Sequence, residues 1–293
     1  MGTTELYGYN LSKIAPTWTG YFPDNPETTA VSVDEAAACV KAGDMKAVTL
    51  KADTWNASGA NAIAMFHHHR GGIRMTQSKT VYASIGDYYH PTEPIEQALQ
   101  IWFAPLAEKG YELRIVEPKE LVQHLSENPV GAILFKENRV TPNEEDKHLW
   151  MGPTEEEAIT TYVRQGGAWL AWHAGMSLYP VPGAYTEMLR GYFDHHPAMS
   201  PVTYTPTGSH PIVAGLEPFE FVDEHYFVVV QTGETEILVT SQSGDGESYA
   251  GWAHAYGEGR VACITPAHTL EGMTHPGVQA LLLRALQWCM KEL

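Results

Sequence analysis

The fold of this chain is decided by residues 163–197, VRQGGAWLAWHAGMSLYPVPGAYTEMLRGYFDHHP. The run 168–172 is short and continuously apolar, which is typical of a parallel strand that is buried on both faces. His173 follows directly where this strand should end. Ligands of open α/β sheets bind outside the carboxyl ends of the strands. The stretch therefore predicts a buried strand that places a titratable side chain at a binding edge.

Working outward from this strand, apolar strand patterns alternate with helical patterns. The predicted strands cover residues 80–85, 111–116, 131–135, 168–172 and 260–265, and the predicted helices cover 92–109, 118–126, a segment that begins at 154, and 276–293. Residues 202–205, 220–230 and 237–240 look like further strands with little helix between them. This alternation predicts an α/β fold with a doubly wound, mainly parallel sheet from residues 79 to 268.

The first 75 residues do not follow this alternation. They are polar and rich in proline, with a capping pattern at 32–35, a short alanine-rich helix at 36–42 and a strand-like segment at 46–52. Three adjacent histidines, His67–His69, favour an exposed loop, since they cannot all face one ion in regular structure. We therefore expect residues 1–75 to be an extension of unknown role and residues 76–293 to be the α/β domain.

Net charge and cysteine content limit the kinds of molecule that the chain is expected to bind and the compartment in which it is expected to occur. The net charge of −17 disfavours nucleic acid and anionic membranes, and fits a protein that handles small neutral or cationic molecules. The three cysteines form no CxxC pair, which suggests a reducing compartment. No signal peptide or membrane-spanning run is evident, so a cytoplasmic location is expected.

Several histidines and carboxylates fall at predicted strand ends. His173 and His268 each end a strand, His90 follows a third, and the pair Asp223-Glu224 lies further along. Parallel strands place their ends along one edge, so these groups would suit either acid–base catalysis or a metal site. The predicted catalytic set is His173, His268, Glu224 and Asp223. At most one carboxylate of the adjacent pair should face the site.

The sequence does not decide whether the predicted site binds a metal ion. If an ion such as zinc or manganese is bound, the ligand candidates are His173, His268, Glu224 and His90. A metal-free acid–base pair uses the same groups. Residues predicted to contact substrate are Tyr89, His90, Trp172, His196, Tyr226 and Trp252. The sequence contains no GxGxxG motif, P-loop or GxSxG elbow, so no nucleotide cofactor and no ordinary serine hydrolysis is expected.

Together these motifs resemble the ThuA-like family, which is named for trehalose utilisation. The family is a flavodoxin-like branch of the class I glutamine amidotransferase-like superfamily. The resemblance covers about residues 79–293. It rests on an ordered series of matches: Gly166-Gly167, Trp172-His173-Ala174, Phe193, His196-Pro197, His210-Pro211-Ile212, Gly215-Leu216, Asp223-Glu224 with Tyr226, Trp252, Tyr256-Gly257, Gly259-Arg260-Val261 and His268.

The resemblance implies sugar catabolism without glutamine amidotransferase activity. Amidotransferases carry a nucleophilic cysteine at the corner where this chain has Trp172-His173-Ala174-Gly175. We expect an enzyme, a lyase, isomerase or hydrolase, that acts on a keto-glycoside or disaccharide by isomerisation or elimination. The alternative is a non-catalytic sugar-binding or regulatory module on a degenerate amidotransferase fold. The expected partner is a small carbohydrate, and a homo-oligomer is left open.

Overall fold

The computed structural model describes residues 79–142 and 148–293, and the backbone of four strands nearer the start of the chain. The chain forms two compact units, Met1–Thr76 and Gln77–Leu293. In the first unit, β1 (Glu5–Leu6) pairs antiparallel with β2 (Tyr9–Asn10), and β3 (Val48–Asn56) pairs antiparallel with β4 (Gly59–Phe66). The helix expected at 36–42 and the histidines at 67–69 lie outside the described residues.

The second unit begins with the predicted alternation of strands and helices. Its first elements are β5 (Thr80–Ile85), α1 (Thr92–Glu108), β6 (Glu112–Ile115), α2 (Pro118–Leu125), β7 (Gly131–Phe135), α3 (Pro153–Arg164), β8 (Ala168–Trp172) and α4 (Ala184–Leu189). The glutamates of the first turn of α3 suit the positive end of a helix dipole. This half of the unit follows the sequence pattern closely.

The remaining elements are mainly strands. They are β9 (Gly191–His195), β10 (Ser200–Pro206), β11 (Phe219–Asp223), β12 (Phe227–Val230), β13 (Glu236–Ser243), β14 (Gly246–Tyr256), β15 (Gly259–Ile264), α5 (Leu270–Met273) and α6 (Pro276–Cys289). β9 and β12 pair antiparallel as a separate ribbon. Among the described helices, none has the length and apolar character needed to cross a bilayer.

A nine-stranded sheet unites most of these strands in the order β11-β10-β13-β14-β15-β8-β7-β5-β6. The five strands from β15 to β6 are parallel. The pairs from β11 to β15 are antiparallel. The α/β class is therefore confirmed, but the sheet is mixed rather than mainly parallel. The physical reason is connection length, since short turns such as the one between β14 and β15 cannot make a parallel crossover.

Two apolar clusters cover the two faces of the sheet. Alternate residues of β8 divide between them: Leu170 and Trp172 pack with residues of α1 and α6, whereas Trp169 and Ala171 pack with residues of α2, α3 and α4. All five residues of β8 are buried. The continuous apolar run in the sequence thus reflects helices on both faces of this strand.

The carboxyl ends of the parallel strands meet at one edge of the sheet. His90 follows β5, Glu137 follows β7, His173 follows β8 and His268 follows β15. The 3-10 turn after β8 lies very close to β7, because a Cβ atom at Gly175 would stand 2.1 Å from the carbonyl oxygen of Leu134. Glycine at this position lets the turn approach its neighbour, so this edge gathers side chains from distant parts of the chain.

Candidate functional site

Four side chains converge at this edge of the sheet. They are His90, His173, Glu224 and His268, and each offers one ligand atom within 4.8 Å of the others. Glu224 directly follows β11, and the three histidines follow β5, β8 and β15. The predicted pair His173 and His268 therefore lies in one place, together with two of the residues expected near it.

His173 is held at the centre of this cluster. Its backbone φ of 46° lies in the left-handed region, which is unusual for a residue with a side chain. The ring is 0% exposed and stacks on Tyr226 with centroids 4.1 Å apart. Nδ1 donates to the carbonyl oxygen of Thr265 at 2.7 Å, which leaves Nε2 unprotonated and 3.6 Å from Glu224 Oε2. Burial lowers the pKa of His173 to about 4, so the ring is neutral.

His90 is oriented by a carboxylate that the sequence did not single out. Its Nδ1 donates to Asp87 Oδ1 at 2.7 Å, and its Nε2 is buried with no hydrogen-bond partner in the described part of the chain. Asp87 also accepts hydrogen bonds from the backbone N–H groups of Tyr89, His90 and Glu137. Burial alone would raise the pKa of Asp87, but these contacts, led by His90, lower it. Asp87 thus fixes which nitrogen of His90 faces the site.

Glu224 is the carboxylate of the cluster. Its Oε2 lies 3.1 Å from His268 Nδ1 and 3.8 Å from His196 Nε2. Burial would raise the pKa of Glu224, but the nearby ring of His268 outweighs burial and holds the pKa of Glu224 well below its usual range. The interaction with Glu224 raises the pKa of His268. Glu224 is therefore charged and lies among three imidazole rings.

Asp223, by contrast, does not belong to the catalytic set. Its side chain is fully buried, accepts from Tyr204 Oη at 2.6 Å and accepts from the backbone N–H of His268 at 2.8 Å. Adjacent strand residues face opposite sides, so Asp223 packs inward where Glu224 reaches the site. The structure therefore does not bring Asp223 to the cavity, contrary to expectation; its carboxylate instead fixes the backbone at His268.

An open cavity of about 480 Å³ lies over the cluster. His90, Glu224 and His268 form part of its wall, while His173 lies behind them. The remaining lining residues are aromatic, polar and aliphatic side chains from several loops: Tyr89, Glu137, Arg139, Ser177, Leu178, Phe193, His196 and Tyr226. Of the predicted substrate contacts, Tyr89, His90, His196 and Tyr226 face this cavity.

Two tryptophans predicted to contact substrate do not reach the cavity. Trp172 and Trp252 are both 0% exposed, and their indole N–H groups donate to the carbonyl oxygens of Pro266 and Leu189, each at 2.7 Å. Both rings lie within the apolar clusters of the sheet. The structure therefore does not bring these two predicted contacts to the cavity, because strand residues next to a site can still point into the core.

The cluster fits a divalent metal ion. Within residues 79–142 and 148–293, His90 Nε2 and His173 Nε2 are buried without a hydrogen-bond partner, and His268 Nδ1 makes no well-formed hydrogen bond although it lies 3.1 Å from Glu224 Oε2. Leaving such atoms unpaired costs about 1–3 kcal/mol each, so a shared partner is expected. Three imidazoles and one carboxylate suit zinc or manganese. The second nitrogens of His90 and His173 are already hydrogen-bonded, as in established metal sites.

We expect Asp87→Asn to weaken the affinity for zinc by about 10- to 100-fold, which is the usual cost of losing an outer-shell carboxylate. An amide can present its N–H₂ group to His90 Nδ1 and so favour the wrong tautomer. Isothermal titration of metal-free protein would measure the effect. Asp194→Asn is the matched control, since that exposed carboxylate pairs with the exposed ring of His195 and lies outside the four-residue cluster. Equal affinities in wild type and Asp87→Asn would contradict the orienting role.

The fold and the site together define an α/β protein with a histidine–carboxylate centre at the edge of its parallel strands. The chain belongs to the ThuA family, described as trehalose utilisation, whose profile matches residues 80–289. None of the curated protein sequences compared with the chain matches it. The family predicted from the sequence motifs is confirmed.

Solved structures agree on the fold. A ThuA-like protein from Parabacteroides merdae superposes with a TM-score of 0.57 at 16% identity, over 73% of this chain and 90% of that chain. A ThuA-like protein from Bacteroides uniformis gives 0.53 at 19% identity, over 73% and 92%. The cold-adapted β-galactosidase of Rahnella sp. R3 gives 0.51 at 14% identity, over 74% of this chain and 32% of that chain. At these identities the likeness concerns the fold alone.

Proposed function

We propose that this chain is an enzyme of carbohydrate catabolism that moves a proton next to the carbonyl group of a keto-glycoside or disaccharide, with a divalent ion held by His90, His173, His268 and Glu224. The observation that carries the proposal is the convergence of three buried imidazole nitrogens on one charged carboxylate, with no well-formed hydrogen bond to any of the three within the described residues. Isomerisation of the sugar, or elimination of its glycosidic group, would follow the proton transfer.

The ligand role suits these residues better than a metal-free acid–base pair. His173 is neutral, wholly buried and behind the cavity wall, so it is poorly placed to touch a substrate. A bound ion would act as a Lewis acid that polarises a carbonyl oxygen. The chain's own contribution is to hold the ligands: Thr265 fixes the ring of His173, and Asp87 fixes the ring of His90.

The shape and lining of the cavity support a sugar as the substrate. Tyr89, Phe193 and Tyr226 offer aromatic surface, and Arg139, His196 and Ser177 offer polar groups. Sugar rings have apolar faces that pack on aromatic side chains and hydroxyl groups that need hydrogen-bond partners. The family description, trehalose utilisation, points to the same substrate class.

We further infer that the core is of the flavodoxin-like, class I glutamine amidotransferase-like kind. Numbered along the chain, the five parallel strands lie in the order 2-1-3-4-5, which is the flavodoxin order. Helices cover both faces. His173 occupies the corner where an amidotransferase carries its cysteine, so no glutaminase chemistry is proposed. The two described cysteines, Cys263 and Cys289, are free and buried, in keeping with a reducing compartment such as the cytoplasm.

A paired assay tests the proposed function. Metal-free protein is titrated with zinc and with manganese, and each form is incubated with a panel of keto-glycosides and the matching unoxidised glycosides. We expect one ion per chain and turnover of a keto-glycoside only when the ion is bound, because only the keto form has an acidified neighbouring C–H bond. Saturable sugar binding without turnover in the metal-loaded protein would favour the non-catalytic module instead.

A further inference from the structure

We propose that Glu137 is the proton-transfer residue of this cavity, taking a proton from the substrate carbon next to the carbonyl group and returning it later in the same turnover. This inference rests on the proposed function above. It adds a residue that belongs neither to the ligand cluster nor to the substrate contacts predicted from the sequence.

Glu137 is firmly positioned at the edge of the sheet. It lies just beyond β7, between the ends of β5 and β8. Its backbone N–H donates to Asp87 Oδ2 at 3.0 Å, and its carbonyl oxygen accepts from Trp150 Nε1 at 3.1 Å. Glu137 is part of the same cavity wall as His90, Glu224 and His268. A substrate held against the cluster would therefore meet this carboxyl group.

Within residues 79–142 and 148–293, one oxygen of the Glu137 carboxyl group has no hydrogen-bond partner. The residue is only 5% exposed, and its Oε1 atom is buried without a hydrogen bond. The neighbouring Lys136 donates its ammonium group to the carbonyl oxygen of Gly86 instead. Burying an unpaired carboxyl group is costly, so a group of this kind in a cavity is a functional-site candidate.

The surroundings of Glu137 suit proton transfer in both directions. Burial, followed by the nearby charge of Asp87, raises the pKa of Glu137 to about 7, although Arg139 and Lys136 act in the opposite sense. A general acid–base group works best when its pKa lies near the working pH. Glu137 can thus exist as carboxylate or acid within one catalytic cycle.

The ligand cluster cannot easily supply this function itself. His90 and His173 each have one ring nitrogen hydrogen-bonded and the other directed at the shared centre. Glu224 is the carboxylate of the same centre. A separate proton carrier is therefore needed. His196 also lines the cavity and is the rival candidate, with its Nδ1 2.9 Å from the carbonyl oxygen of Pro197.

Proton transfer from a keto-glycoside to Glu137 uses only electron pairs that the substrate itself supplies. The carboxylate of Glu137 takes the proton, the C–H electron pair becomes a carbon–carbon double bond, and the carbonyl π pair moves to oxygen. In elimination, this pair returns and the bond to the glycosidic oxygen breaks. Protonated Glu137 then gives its proton to the leaving oxygen. In isomerisation, protonated Glu137 gives its proton to the former carbonyl carbon, and the hydroxyl proton of the neighbouring carbon passes to the former carbonyl oxygen, so that the carbonyl group changes place. No oxidant or reductant is required.

The test uses the full chain loaded with zinc or manganese and a keto-glycoside that the wild type turns over. We expect Glu137→Gln to lower kcat by about 10²- to 10⁴-fold, the usual contribution of general acid–base catalysis. Metal stoichiometry and sugar affinity should stay unchanged. Exchange of the substrate C–H proton with deuterium oxide should fall by the same factor. Glu108→Gln, an exposed carboxylate at the far end of α1, is the control.

A second variant separates chemistry from positioning. Glu137→Ala should regain exchange activity when formate is added, because a free carboxylate can occupy the emptied space, whereas a purely structural role would give no rescue. Exchange that survives in Glu137→Gln but is lost in His196→Gln would overturn the inference and assign the proton to His196. Failure of the wild type to turn over any keto-glycoside would instead refute the proposed function.

Discussion

Replacing Glu224 with Gln should lower the affinity for zinc or manganese by more than about 100-fold, since even outer-shell partners are worth 10- to 100-fold. The substitution keeps the size of the side chain and removes its charge. It leaves His173 Nε2 and His268 Nδ1, at 3.6 and 3.1 Å from Oε2, without their anionic neighbour. Turnover of a keto-glycoside should disappear together with the ion.

Titration calorimetry and elemental analysis of the purified variant would measure this loss. The matched control is Glu217→Gln, an exposed carboxylate before β11 that faces solvent and should leave metal binding unchanged. Thermal unfolding of both metal-free variants checks that the fold is intact. If Glu224→Gln binds the ion as tightly as the wild type, the four-residue centre is not a metal site. An acid–base role for these groups would then remain.

Trp172→Ala should lower the free energy of unfolding by about 3–5 kcal/mol, the range for deleting a large aromatic side chain from a packed core. The ring is 0% exposed and contacts Phe135 and Trp102 edge to face, with centroids 4.7 and 6.3 Å away. Trp172→Phe should cost less, about 1–3 kcal/mol, since it mainly leaves the carbonyl oxygen of Pro266 without its donor.

Urea unfolding of the three proteins would give these differences. Tyr89→Ala is the informative comparison, because Tyr89 is 48% exposed at the cavity mouth and its loss should change stability by no more than about 0.5 kcal/mol. Its effect should fall on sugar affinity instead. If Trp172→Ala were as stable as the wild type but bound sugar more weakly, Trp172 would be a substrate contact rather than a core residue.

The alternation of strand and helix patterns was enough to predict the parallel half of the sheet. The buried run at β8 also predicted helices on both faces. The antiparallel half of the sheet was harder to predict. The pattern of a short strand does not show which other strand it pairs with, because pairing depends on neighbours that are distant in sequence. Trp172 and Trp252 show the same limit of prediction from sequence. The local sequence does not show whether an apolar side chain beside a site points into the cavity or into the core.

The sequence placed His90, His173 and His268 near one edge, but it could not choose between Asp223 and Glu224. The choice depends on the contact of Asp223 with Tyr204, a residue on the neighbouring strand. Asp87 and Glu137 were missed as site residues for a related reason. The available signal was their position in the sequence, because Asp87 and Glu137 each come shortly after the end of a predicted strand.

By itself, the sequence determined the order of the elements, the family and the histidines at strand ends, because these depend on local patterns of a few residues. The tertiary structure alone decided the mixed character of the sheet, the convergence of three imidazole nitrogens with one carboxylate oxygen, and the burial of Glu137 in the wall of the same cavity. The physical reason is that strand order sets the distances between side chains far apart in the chain. Those distances in turn set the burial and charge around each group.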